Sequence, residues 1–153
     1  MDMKINLKRN AQLEAAPETV RTHLSDLPGL LGLFPKLDNL KDVGNNTYHW
    51  TLKPIGAAGI EHVVMYGARY TVDHNAMKVS WEPIKGVGNA TLEGSIHFRE
   101  TAGRIEVIAH IEGQLRDMSI PLALRLVTPA YIKKTFEALV DKFLTRLGER
   151  LGS

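Results

Sequence analysis

The stretch GIEHVVMYGARYTVDHNAMKVSWEP, beginning at Gly59, contains His62, Tyr66, Tyr70 and Trp81. An imidazole with an ordinary pKa of about 6.5 exchanges protons near neutrality and can serve as a general base or acid. A phenol or an indole instead joins apolar bulk to a single polar handle. Strand alternation sorts the stretch into two faces. His62, Val64, Tyr66, Ala68, Tyr70 and Val72 share one, and Glu61, Val63, Met65, Gly67, Arg69 and Thr71 share the other. Glu61 is thereby turned away from His62, and no Asp stands two residues off on the inward face. His62 is the catalytic candidate, with Tyr66 and Tyr70 orienting a substrate oxygen. The alternative is a structural histidine bonded to a backbone carbonyl or to a Tyr hydroxyl.

Other chemistries find little support. There is no cysteine, which removes disulfides and thiolate catalysis. His49, His97 and His110 fall on outward strand faces, as do Glu93, Glu106 and Glu112. A metal needs three or four convergent ligands, and no HExxH or CxxC spacing supplies them, so neither metal nor other cofactor is expected. The glycine-containing pieces GAAGIEH and KGVGNA lead into strands, whereas a phosphate loop leads into a helix. The formal net charge is +2, with bases and acids interspersed, which argues against a nucleic-acid partner. No run approaches the roughly 20 apolar residues that span a bilayer, so stable membrane insertion is not expected. The N-terminal MDMKINLKRNAQLE alternates where a leader would be apolar, and a cytoplasmic location is expected.

The elements that must position these residues follow from periodicity. A chain of 153 residues, 44% hydrophobic and 24% charged, predicts one globular domain over 1–153. MKINLKRNAQLEA alternates as a half-buried strand. Pro17 and Glu18 suit a helix start, and PETVRTHLSD places Val20, Leu24 and Leu27 on one face. DLPGLLGLFPKL, broken by Pro28, Gly29, Gly32 and Pro35, predicts a second short helical piece.

Strand patterns then succeed one another. They run from LDNLKDV through TYHWTLKP, the long IEHVVMYGARYTVD, MKVSWEP and NATLEGSIHFR to RIEVIAHIEGQLR. PIGAAG reads as a flexible connection and IKGVG as a turn. With the first strand the count is seven, joined by short turns and therefore antiparallel. From Thr128, read as an N-cap with Pro129 just inside, Ile132, Phe136, Leu139, Val140, Phe143, Leu144, Leu147 and Leu151 recur at three and four. That spacing predicts an amphipathic helix of about 20 residues.

The order strand, two short helices, six strands, long helix resembles the START-like superfamily, also called Bet v 1-like or SRPBCC. The early pattern LEAAPETVRTHLSDLPGLLGLFPKLDNLKDVGNNTYHW carries the likeness, with Pro17, Asp26 and Phe34–Pro35 at its joints. In flavour it is similar to bacterial polyketide cyclase/dehydrase proteins and to proteins like the G-type subunit of carbon monoxide dehydrogenase. The resemblance implies an α+β helix-grip fold: a curved seven-stranded antiparallel sheet, two short helices and a long C-terminal helix enclosing a cavity.

Alternation then predicts the cavity lining as Tyr48, Trp50, His62, Tyr66, Tyr70, Trp81 and Phe98 from the sheet. Tyr131 and Phe136 come from the helix, and Arg125 stands at an entrance. Gly94 and Gly113 point inward, where glycine marks a bend or a close approach. Such a lining suits a small hydrophobic ligand (lipid, quinone or polyketide-like) in a cavity of several hundred Å³. Two other functions remain open. One is a cyclase or dehydratase using His62. The other is an interaction or assembly subunit with a protein partner or as a homodimer, through an apolar patch at Leu30, Leu31, Leu33 and Phe34 or on IPLALRLV.

Overall fold

The computed structural model describes residues 1–57 and 60–152. Strand β1 (Met3–Leu13) buries Met3, Ile5, Leu7 and Leu13 and turns Lys4, Asn6, Lys8 and Asn10 to solvent. Pro17 opens α1 (Pro17–Leu24), which buries Val20 and Leu24. After a two-residue break α2 (Leu27–Leu31) begins, with Asp26 Oδ1 accepting from Gly29 N at 3.2 Å. Its buried Leu27, Leu30 and Leu31 join the core.

The strands β2 (Leu37–Gly44), β3 (Thr47–Leu52), β4 (Ile55–Ala57), β5 (Ile60–His62), β6 (Met65–Asp73), β7 (Lys78–Gly88), β8 (Ala90–Thr101) and β9 (Arg104–Leu115) follow. Seven strands form one antiparallel sheet in the order β1-β9-β8-β7-β6-β3-β2, and β4 and β5 pair separately. A short 3₁₀ turn, Leu122–Leu124, leads to α3 (Thr128–Leu151). The apolar stripe of α3 from Ile132 to Leu151 is buried against the inner face of the sheet. Arg9 fixes it there: its Nε and Nη2 donate to the Asp141 carboxylate at 2.8 and 2.6 Å. Arg146 Nη1 donates to Leu33 O at 3.2 Å, tying the helix to the turn after α2. This is a helix-grip fold: a seven-stranded antiparallel sheet closed over a long C-terminal helix.

The inward glycines mark close approach between strands. A Cβ on Gly94 would stand 2.2 Å from the His110 carbonyl oxygen and 2.8 Å from Trp81 Cζ2; one on Gly113 would stand 1.9 Å from Thr91 O. Both lie where β8 and β9 crowd together, which is how a sheet bends around a helix.

Four local expectations change. PIGAAG is not an open connection, because Ile55–Ala57 forms β4 and pairs Ile55 with His62. Ile55 is fully buried, which anchors this hairpin. Ala58 and Gly59, where the long strand was expected to begin, lie outside the described residues. That strand is in fact two, because pairing changes partners between His62 and Met65. There Asn89 substitutes for a strand neighbour: its Nδ2 donates to Val63 O at 2.8 Å and its Oδ1 accepts from Met65 N at 2.9 Å.

IKGVG continues β7 to Gly88. A register shift in the β6–β7 ladder, between the pairs Tyr66–Gly88 and Ala68–Pro83, takes up the extra β7 residues between them; Gly86 among these and Gly88 beside them have positive φ. Thr128 is already helical rather than the cap, and its hydroxyl donates back to Leu124 O.

Candidate ligand-binding site

Strand register assembles the aromatic wall. Trp50 on β3 lies opposite Tyr66 on β6, and Tyr70 lies opposite Trp81 on β7. The first pair stacks with ring centroids 5.5 Å apart and planes 8° from parallel. The second is tilted by 38° at 5.7 Å. Tyr48 meets Tyr70 edge-on at 5.9 Å. From the helical side Phe34 stands edge-on to Trp50 and tilted against Phe143, each at 5.9 Å. Gly94 pairs with Trp81 across β7 and β8, and the missing side chain leaves the indole its place.

Between sheet and helix lies an apolar cavity of about 50 Å³. Its sheet wall is Trp50, Leu52, Tyr66, Tyr70, Trp81, Leu92, Ile96, Ala109 and Ile111; its helical wall is Leu31, Phe34, Phe136, Val140 and Phe143. The volume is well below the several hundred Å³ expected from the sequence. Three phenylalanines, Phe34 from the turn after α2 and Phe136 and Phe143 from α3, occupy the same interior.

Of the sequence-predicted lining, Trp50, Tyr66, Tyr70, Trp81 and Phe136 form the cavity wall. Tyr48 and Phe98 are buried but contribute nothing to the wall. Arg125 is exposed and its Nε donates to Ile120 O at 3.3 Å. Tyr131 is exposed too, and its hydroxyl donates to Gly56 O at 3.1 Å, joining the start of α3 to β4. Arg69 pairs with Glu82 on the outer face.

His62 also lies outside the wall. It is 8% exposed, and its Nε2 is buried without a hydrogen-bond partner, so neither a carbonyl nor a tyrosine holds that atom. Burial lowers its pKa below the ordinary value; the Asp117 carboxylate opposes the fall and the N-terminal ammonium adds to it. The imidazole is therefore neutral at pH 7.

The members that sequence reasoning left out of the site are Leu31, Phe34, Leu52, Val140 and Phe143, with the small or aliphatic residues of β8 and β9. Their inward direction was readable from the same alternation and from the helix spacing. Leu31 and Phe34 are the exceptions, set instead in an exposed patch. That patch is not exposed: Leu30 and Leu31 are buried, and Leu33 and Phe34 pack partly against the core.

The wall carries no charged side chain. Burial pushes the Tyr66 hydroxyl far above its usual pKa. Burial does the same for Tyr70, with Tyr66 adding to the rise and the Trp50 indole opposing it. Both are neutral phenols at any physiological pH. Trp50 Nε1 is buried and, although near enough to influence Tyr70, reaches no acceptor at hydrogen-bonding geometry. The cavity can therefore hold apolar groups and offer hydrogen bonds; no group on its wall titrates near neutrality. Among the described residues no cluster of three or more His, Asp or Glu side chains could hold a metal ion.

No family model and no curated protein matches the chain. Solved structures do. TTHA0849 from Thermus thermophilus superimposes with a TM-score of 0.70 at 20% identity, covering 97% of this chain and 96% of that one. An aromatase/cyclase from Streptomyces sp. R1128 does so with a TM-score of 0.58 at 14% identity, over 97% and 91%. Norcoclaurine synthase from Thalictrum flavum, solved with dopamine and hydroxybenzaldehyde, gives 0.58 at 16% identity, over 97% and 88%. At these identities the likeness is one of fold.

Proposed function

We propose that the protein binds a small, mostly apolar molecule bearing at least one acceptor oxygen, of lipid, quinone or polyketide-like character, in the cavity between sheet and α3. The observation that carries this reading is the buried, unsatisfied Trp50 N–H beside an otherwise apolar wall. Leaving such a donor unpaired costs about 1–3 kcal/mol. A ligand carbonyl, ether or hydroxyl oxygen would recover that energy, while its carbon skeleton replaces contacts among Leu52, Leu92, Ile96 and Phe136. A space of 50 Å³ admits only part of such a molecule. The remainder is gained by displacing Phe34, which stands half-buried on the turn after α2.

Binding is favoured over catalysis by the protonation chemistry of the wall. A general base must titrate near the working pH and reach the substrate proton. Tyr66 and Tyr70 fail the first condition, and His62 lies outside the cavity wall. The fold is shared with proteins described as an aromatase/cyclase and a norcoclaurine synthase, but a fold does not carry an activity with it.

Native mass spectrometry of freshly purified protein tests the reading. A retained apolar adduct, lost on mild activation, is expected. A bare chain that also fails to take up quinones, fatty acids and aromatic polyketide analogues would overturn it.

A further inference from the structure

The segment that leads into α3 is built unlike the rest of the surface. Leu122, Leu126 and Val127 are 79%, 95% and 62% exposed, and Tyr131 follows at 42%. Three large aliphatic side chains within six residues, all largely bare, are unusual on a water-facing surface. Tyr131 N bonds to Val127 O, so the two stand one helical turn apart on the same side of α3. Lys134 lies a further three residues on and belongs to that side as well.

The charges carried by this segment of the chain have one prevailing sign. From residue 116 to residue 134 the chain carries Arg116, Arg125, Lys133 and Lys134 against the single acid Asp117. The whole chain has a net charge of only +2, so the remainder is acidic on balance and the positive charge is concentrated here. Lys133 and Lys134 are exposed and enter no ion pair among the described residues.

We propose that this tip docks on an anionic phospholipid surface. Leu122, Leu126 and Val127 enter the interface, Tyr131 sits at headgroup depth, and Arg125, Lys133 and Lys134 meet the lipid phosphates. Exposed aliphatic groups in a segment rich in cations are what binding in the interfacial plane requires, and an amphipathic tyrosine suits the headgroup level. No helix of the described residues is long and apolar enough to cross a membrane, so the association is peripheral and reversible. A polar protein partner would leave the aliphatic tip unmatched, and a second copy would set the cationic collars against each other. The proposal does not depend on what fills the cavity, since the docking residues lie outside its wall.

The test is flotation of the intact chain with phosphatidylcholine vesicles, with and without about a third phosphatidylglycerol. Binding is expected only to the anionic vesicles and should weaken as salt rises. The L122S/L126S variant, altered at bare positions, should bind at least tenfold more weakly with its circular dichroism and melting unchanged. K133A/K134A should lose about tenfold or more. No flotation on anionic vesicles, or flotation unchanged in both variants, overturns the proposal. So does a concentration-dependent dimer that L122S/L126S dissociates while vesicles go unbound, which would make the tip an interface between copies.

Discussion

Trp50 and Tyr66 face each other across β3 and β6 as a near-parallel stack, and both rings form part of the cavity wall. Two consequences follow from the same pair. The stack seals one side of the cavity with rigid aromatic surface. The indole N–H of the same Trp50 is buried without an acceptor, so an incoming oxygen is the natural partner for that donor.

Replacing Trp50 by Phe separates these roles. The aromatic surface is largely kept and the donor is lost. A ligand bearing a ketone or ether oxygen should bind about three- to tenfold more weakly, whereas a hydrocarbon of the same shape should bind as before. Isothermal titration with such a matched pair reads the difference. Equal losses for both compounds would mean that the indole acts only by its shape.

The bend of the sheet rests on glycine at a particular place. Gly94→Ala sets a methyl group against the His110 carbonyl and the Trp81 ring, and backbone cannot yield as a flexible side chain does. A loss of about 1–3 kcal/mol in urea unfolding is expected. Because the displaced ring is part of the cavity wall, the variant should also show altered tryptophan emission in the folded state.

His62 makes stability depend on pH in a definite direction. Its folded pKa lies below the ordinary 6.5, chiefly through burial. The unfolded chain therefore binds this proton more readily than the folded one. The contribution is fully present above about pH 6.5 and is lost as pH falls through the depressed folded value. Melting curves of wild type and His62→Gln from pH 8 to pH 5 should show the wild type falling more steeply below pH 6.5. Parallel curves would mean that His62 is solvated.

The sheet faces, the two short helices and the α3 stripe were legible in the sequence because each rests on a single period. Ile5 and Leu7, or Phe136 and Phe143, announce their direction without reference to anything distant. The break between His62 and Met65 was not legible, because a side chain 24 residues further on, Asn89, makes it. His62 keeps its buried side, yet it lies on a different strand from Tyr66 and outside the cavity wall. The size of the cavity was hidden for a related reason. Alternation says which way Trp50 and Leu92 point, but not how far Phe34 and Phe136 reach toward them from the opposite layer.

The central claim, that the cavity takes an apolar ligand, is tested most directly by the protein's own tryptophans. The chain has two, Trp50 and Trp81, and both lie on the wall. Titration with an uncharged apolar fluorophore such as N-phenyl-1-naphthylamine should quench their emission saturably at one probe per chain. Ala109→Leu, which fills the cavity from the β9 side, should abolish that response with the fold retained. Absence of saturable quenching in the wild type, or the same titration curve in Ala109→Leu, would contradict the account.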